Sequence, residues 1–341
     1  MAIRSAIVRG SLVAIGSVGM ACGAASAQVI AFSHDDFSES QGYRGWYYGY
    51  FDGNSDTPWG LNDFEPLPIF DGYRWRREDG PTGFWTSLDR DGGHPNGTIT
   101  SGGRQRELNW AVRRWVSDGN YILHLTGRLW DADPTPTQGN GVIGYIMVDG
   151  DKVWQATVEN GNEHGATYDV EVCTVTGTII DFAIAPRDGD DLNDSTGFHS
   201  RISTVIMSQP TDTMTCSGGT ADFFVLTTPG DFTYQWRFNG MPIEHDGNMP
   251  RLRVVNVTPD KVGAYDCLIT NGCGSMLSRE ATLTICDADF DCDGVIDSQD
   301  FFSFVNDFFV AAPRSDINHD GFFNTQDYFD FLTMFFNGCP A

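Results

Sequence analysis

The chain has 341 residues and a formal net charge of −25, from 46 acidic against 21 basic side chains. Such a balance repels nucleic acid and anionic membrane and favours cations as partners. With 40% hydrophobic and 13% aromatic residues the chain is not wholly disordered, its length allows two or three domains, and its 39 Gly and 15 Pro point to many turns and a β-rich fold without long helices.

Residues 1–27 read as an export signal. Arg4 and Arg9 precede the uncharged stretch 11–21, and Ala25-Ser26-Ala27 forms an A-x-A cleavage site with Gln28 as the expected mature start. Cys22 offers a lipid-anchored alternative, which Gly19-Met20-Ala21 before it fits poorly. No later stretch reaches the ~18 consecutive apolar residues that span a bilayer, so no transmembrane segment is expected and the protein is placed in the secreted or cell-surface class. Export makes disulfides the expected state of cysteine. Cys173, Cys216, Cys267, Cys273, Cys286, Cys292 and Cys339 remain after cleavage, an odd set that leaves one thiol over. All but Cys173 follow residue 215, so stapling is expected in the C-terminal part and not in the front.

Residues 28–206 read as one β-sandwich. The runs at 109–115 (NWAVRRW), 121–129, 142–148, 167–175 and 178–186 are strand-like, with Asp149-Gly150 as a hairpin turn. Short strands at this spacing suggest a sandwich or jelly roll. The segment QGYRGWYYGYFDG at 41–53 is dense in rings: Trp46, Tyr47, Tyr48, Tyr50 and Phe51, with Trp59 nearby. It reads either as a sugar-stacking strip or as a strand whose alternate rings fill the core. Arg74, Arg76, Arg77, Arg113 and Arg114 are expected to oppose carboxylates, with an acidic-sugar site as the weaker alternative.

Glycoside cleavage needs two carboxylates at a set separation. Glu65, Asp71, Glu78, Asp79, Asp89, Glu159 and Glu163 are available, but abundance in an acidic chain singles out no pair. His34, His94, His124, His164 and His199 show no H-E-x-x-H spacing, no G-x-S-x-G occurs, and GNGVIG at 139–144 leads into a strand and reads as a turn. No catalytic residue is assigned.

Residues 207–285 hold about seven short strands. Trp236 sits mid-strand and Tyr265 lies two residues before Cys267. The segment resembles an immunoglobulin-like sandwich, with these as its core tryptophan and corner tyrosine. It departs from that family in Cys216, which precedes the strand at 220–228, with Val225 in the usual cysteine place, and in Lys261, where an aspartate is usual. A Cys216–Cys273 pair is expected. A rigid spacer is the plainest role, binding through exposed strands the alternative.

Residues 286–341 carry 11 aspartates, no glutamate and 12 of the 24 phenylalanines. DFDCDGVIDSQD (289–300) and DINHDGFFNTQD (316–327) are twelve-residue loops whose starts lie 27 residues apart, each fitting an EF-hand-type calcium loop. The ligands expected in the first are Asp289, Asp291, Asp293, the Val295 carbonyl, Asp297 and Asp300. In the second they are Asp316, Asn318, Asp320, the Phe322 carbonyl, Asn324 and Asp327. Gly294 and Gly321 hold the sharp turn. A helix is expected after each loop, from Phe301, Phe304, Val305 and Phe308 and from Tyr328, Phe331, Leu332 and Phe335. A duplicated loop–helix unit ending in GCPA resembles a GC-type dockerin domain. That resemblance implies two calcium ions as cofactors, folding on calcium, and docking onto a cohesin-like or cell-surface partner through Ser298, Gln299, Thr325, Gln326 and the helices. Cys286 and Cys339 bracket the unit and are expected to pair, with Cys292 a further candidate. The surplus phenylalanines form either extra core or an exposed docking patch.

The expected fold is thus mainly β: a jelly-roll-like sandwich at 28–206, an Ig-like sandwich at 207–285 and a small α-helical dockerin-like calcium-binding domain at 286–341. The function it suggests is a secreted modular binding protein, carbohydrate-binding through its front sandwich and docked by its tail. A polysaccharide hydrolase or lyase and a purely structural surface protein are the alternatives.

Overall fold

The computed structural model describes residues 28–52, 63–78, 83–99, 103–133 and 139–339. The expected export signal with its cleavage site, Trp59 and Asp79 lie outside the described residues. The chain is mainly β.

Two antiparallel sheets build the front sandwich. One runs in the order Ala166–Thr174, Tyr121–Asp131, Thr196–Thr204, Gly92–His94, Ser87–Leu88, Trp75–Arg76, Ile69–Phe70, and Val29–Phe32 also pairs with Thr196–Thr204. The other runs Asp151–Val158, Val142–Val148, Ile179–Pro186, Asn109–Val116, Trp46–Asp52, Phe64–Pro66. Each expected strand is present. Asp149 (φ 48°) and Gly150 (φ 89°) both take the left-handed conformation that a two-residue hairpin turn requires. Between the sheets lie Trp46, Tyr48, Trp115, Leu123, Leu125, Phe182 and Phe198.

The aromatic segment is therefore core and no sugar-stacking strip. Trp46, Tyr48 and Phe51 are buried, Tyr47 points outward, and Tyr50 lies under the Arg77 guanidinium at 4.5 Å. Alternation along the strand sends Trp46, Tyr48 and Tyr50 toward the space between the sheets and Tyr47 and Phe51 to the opposite face, where Phe51 is covered by Phe64. Of the arginines, Arg76 pairs with Asp71 (2.7 Å), Arg77 with Glu107 (2.9 Å) and Arg114 with Asp181 (2.8 Å). Arg113 departs from the expectation. It is buried on the second sheet and reaches across to the carbonyls of Phe198 (3.1 Å), Gly92 (3.0 Å) and Asp89 on the facing side.

The second sandwich has one sheet in the order Thr213–Thr215, Ala281–Ile285, Gly263–Thr270, Thr233–Phe238, Met241–Pro242, with Ser275–Leu277 also pairing with Gly263–Thr270. Its partner sheet is Thr220–Phe224 with Arg251–Val255. The first strand runs parallel to the last of the domain, all other pairs antiparallel. Trp236 is fully buried with its Nε1 donating to the Met249 carbonyl (2.9 Å). The Tyr265 hydroxyl donates to the Lys261 carbonyl (2.7 Å), so the tyrosine corner is intact with lysine in the aspartate's place. Tyr265→Phe should cost about 1 kcal/mol, read as a lower urea midpoint at unchanged slope; an unmoved midpoint would show that the corner contributes nothing. Phe223 stacks on Tyr265 with ring centroids 4.8 Å apart, and Cys267 stays an unpaired buried thiol, pushed up to about 12 by burial.

The disulfides correct two expectations. Cys286 pairs with Cys339 as expected, but Cys216 pairs with Cys292 and Cys273 with Cys173. Cys216 and Cys273 sit at opposite ends of the Ig-like sandwich. Next to Cys273, Asn271 bonds Glu171 of the front sandwich (2.7 Å); next to Cys216, the Ser217 amide bonds Asp287 of the tail (3.2 Å). Each of these two cysteines is thus committed to a different neighbour, and the front sandwich is stapled after all. The junction is also apolar: Ile122, on the outer face of a front strand, joins the core of the Ig-like unit.

The tail holds α1 (Ser298–Phe309) and α2 (Thr325–Asn337). Asp297 and Asn324 are their N-caps, and Asp300 and Asp327 close a capping box at each start. Phe290, Phe304, Ile317 and Phe331 form the buried core, with the Phe304 and Phe331 rings stacked at 4.0 Å. Phe301, Phe308 and Phe335 pack against it, while Phe302, Phe309, Phe329 and Phe336 face outward. Among the described residues no helix is long and apolar enough to cross a membrane.

Candidate functional site

The tail loops repeat one hydrogen-bond scheme. Gly294 (φ 88°) and Gly321 (φ 83°) turn the chain at position six, and their amides donate to the position-one carboxylates of Asp289 (3.1 Å) and Asp316 (2.9 Å). At position five Asp293 accepts from the Val295 amide and Asp320 from the Phe322 amide, both at 2.8 Å. Asp300 accepts from the amides of Asp291 and Asp297, and Asp327 from those of Ile317 and Asn324. The twelfth loop residue is thereby also the third residue of the helix, so loop and helix cannot form separately. The ninth residue acts as the helix cap: Asp297 and Asn324 accept from Gln299 and Gln326, each at 2.7 Å. The Asn318 side chain accepts from the Asp320 amide (3.0 Å).

In the first loop, carboxylate oxygens of Asp289, Asp291 and Asp293 lie within 4.8 Å of one another. Asp289 Oδ1 is buried with no hydrogen-bond partner. Burial, and the charges of Asp293, Asp300 and Asp289, push the Asp291 carboxyl up. An orphaned oxygen among mutually repelling carboxylates fits a hard cation, which takes six to eight oxygen ligands. The second loop has the same backbone path with fewer charges.

The front sandwich carries a cleft of about 320 Å³ over the strands Ser87–Leu88 and Gly92–His94. Its lining holds the rings of Tyr73, Phe84 and Trp85, the cations Arg74, Arg76 and Arg104, and the carboxylates Glu78, Asp89 and Asp91. Arg104 lies over the Trp85 ring at 4.1 Å and Arg77 over Phe84 at 3.8 Å. The floor is glycine because the neighbouring backbone comes so close: a Cβ on Gly92 would stand 1.8 Å from the Thr196 carbonyl oxygen. His94, half-buried in that floor with Nδ1 2.6 Å from the Pro95 carbonyl, is lowered to about 4 by desolvation.

At the rim, Asp91 Oδ1 lies 3.2 Å from His199 Nε2 and 3.5 Å from His34 Nε2. Two imidazoles and a carboxylate are a donor set for a borderline cation such as zinc. Among the expected carboxylates Glu78 and Asp89 come together in the cleft; Glu65, Asp71, Glu159 and Glu163 do not line it. Asp91, Tyr73 and Trp85 were not singled out in the sequence. Trp85 and Arg104 lie 19 residues apart and Asp91 and His199 lie 108 apart, so no local spacing signals them.

A last group sits between the sheets. Asp194 is buried with both carboxylate oxygens unpartnered, and burial, with the charges of Asp191, Asp190 and Asp131, pushes its carboxyl up to about 9.

No family model matches the chain, and no curated protein does. Solved structures that resemble parts of it include tandem Ig modules. Titin M4 (19% identity, 24% of this chain and 92% of that one) aligns with a TM-score of 0.22. The N-terminal Ig1-2 module of the Drosophila receptor protein tyrosine phosphatase DLAR (16% identity, 56% and 95%) has a TM-score of 0.21. DIP-gamma Ig1+Ig2 (12% identity, 52% and 89%) has a TM-score of 0.22. The Ig-like class of residues 207–285 stands on their own strand order, Trp236 and Tyr265.

Proposed function

We propose that this chain is an exported modular binding protein, with a dockerin-like tail that takes two calcium ions and a front sandwich that holds polysaccharide in its cleft. The observation that carries the tail is the orphaned Asp289 oxygen among converging carboxylates, in a loop scheme that the chain builds twice. Three disulfides among the described residues suit an oxidising compartment. Outward Phe302, Phe309, Phe329 and Phe336 beside exposed Ser298, Gln299, Thr325 and Gln326 offer a cohesin-like or cell-surface partner an apolar face with a polar rim. The cleft suits a polar ligand with apolar ring faces, since its lining combines aromatic rings with cationic and acidic groups.

Glu78, Asp89 and Asp91 in the cleft lining favour a second reading, hydrolysis or lysis of the same polysaccharide. Incubating the full chain with soluble and insoluble polysaccharides, and reading bound protein and released sugar ends from the same tubes, separates the two. Binding without release is expected. Tyr73, 59% exposed on the wall, should contribute about 1 kcal/mol of stacking, so Tyr73→Ala should weaken binding roughly fivefold. Release would make the front sandwich an enzyme; neither binding nor release would leave a structural role.

A further inference from the structure

We infer that the front sandwich holds a cation site of its own, a buried calcium ion clamped between its two sheets by Asp194 and Asp131. The site lies outside the tail loops and shares no residue with them. Asp194 is only 2% exposed, and neither of its carboxylate oxygens has a hydrogen-bond partner. Buried carboxylates are ordinarily paired, hydrogen-bonded or bound to a metal. Here the charged groups acting on it are Asp191, Asp190 and Asp131, all acidic.

The orphaned side chain lines a small pocket of about 10 Å³, together with Asp131, Asn160, Asn193 and Thr196. That is room for one small occupant and none for a hydration shell. Every polar side chain on its wall offers oxygen, with no imidazole or thiolate among them, which is the donor set of a hard cation. Calcium fits better than magnesium, which gives up its waters reluctantly and demands near-ideal octahedral geometry. The Asp131 carboxylate is already oriented by the amides of Asp133 (2.8 Å) and Gly161 (2.5 Å), leaving a lone pair on each oxygen.

The location gives the site a purpose. Asp131 ends Tyr121–Asp131 and Thr196 begins Thr196–Thr204, both in the first sheet; Asn160 follows Asp151–Val158, at the edge of the second. An ion here joins the two sheets at one end. Thr196 lines both this cavity and the cleft, so the ion also holds the cleft floor in place.

Calcium content of the full chain, dialysed in trace calcium and measured by native mass spectrometry, tests this. Three ions are expected in the unaltered chain. One is expected in Asp293→Ala/Asp320→Ala, which disables the tail loops, and none when Asp194→Asn is added. The tail variant should also keep a chelator-sensitive thermal transition, lost in the triple variant. A tail variant that binds no calcium and melts alike with and without chelator would overturn the inference, as would an ion that survives Asp194→Asn. Because the tail variant leaves the front sandwich untouched, its metal content decides the matter even if Asp194→Asn fails to fold.

Discussion

Chelating calcium from the full chain should abolish α1 and α2 while leaving the Ig-like sandwich folded. These are the α-helices of the described chain, at 12 and 13 residues, so far-ultraviolet ellipticity at 222 nm reports them almost alone. Isolated helices of that length are marginal in water, and the core beneath them is four residues, Phe290, Phe304, Ile317 and Phe331. Without a cation the carboxylates of Asp289, Asp291 and Asp293 face one another at close range, and Asp300 and Asp327 lose the loop that orients them. Small units of this kind draw their folding free energy from the metal. Nearly all the 222 nm signal should go, with new protease cleavage between 298 and 337, and calcium should restore it. Asp293→Ala or Asp320→Ala should each remove one ion from the stoichiometry. Helicity and protease resistance unchanged in chelator would end the calcium reading of the tail.

Arg113→Met should be the most damaging single change in the front sandwich. The guanidinium is 2% exposed and bonds three carbonyls across the interior, those of Phe198, Gly92 and Asp89. Burial lowers its pKa, and no carboxylate is bonded to it to compensate; it is held by carbonyl dipoles instead. Removing a charged donor costs ~1.5–3 kcal/mol per bond, and water entering the gap offsets part of that. A net loss of about 3–5 kcal/mol is expected, or roughly 6–20 °C in Tm for a domain of this size. Polysaccharide binding should fall too, because Asp89 and Gly92 also line the cleft. Arg113→Lys should recover little, since a single ammonium head cannot reach three divergent oxygens. A Tm within about 2 °C of the unaltered chain would show the cross-sheet tie to be dispensable.

Strands and loops were legible wherever the cause is local. Asp149-Gly150 specifies its own turn, and the Asp–x–Asp–x–Asp–Gly run places its carboxylates by backbone geometry alone. The cleft was not legible, because Tyr73, Asp91 and Thr196 meet only once distant strands of the first sheet have paired. The aromatic segment at 41–53 had two readings in sequence, and pairing of Trp46–Asp52 between Asn109–Val116 and Phe64–Pro66 decides for the core. The cysteines were misread for a similar reason. A small sandwich ordinarily pairs its cysteines within itself, whereas Cys173–Cys273 and Cys216–Cys292 bridge between domains. Asp194 gave no signal at all in a stretch that also holds Asp188, Asp190 and Asp191.

Those bridges change how the molecule carries load. Between the front sandwich and Cys339, the shortest covalent route jumps from Cys173 to Cys273, follows the chain to Cys286 and jumps again to Cys339. The bypassed segments span 100 and 53 residues of sequence. Of the Ig-like strands, tension along that route runs through Ser275–Leu277 and Ala281–Ile285 alone, so the remaining strands of that core and the tail helices cannot be drawn out while the bonds stand. Reduction would release about 500 Å of slack, at roughly 3.3–3.6 Å per extended residue. An oxidised molecule is therefore a short, nearly inextensible strut, and a reduced one a tether.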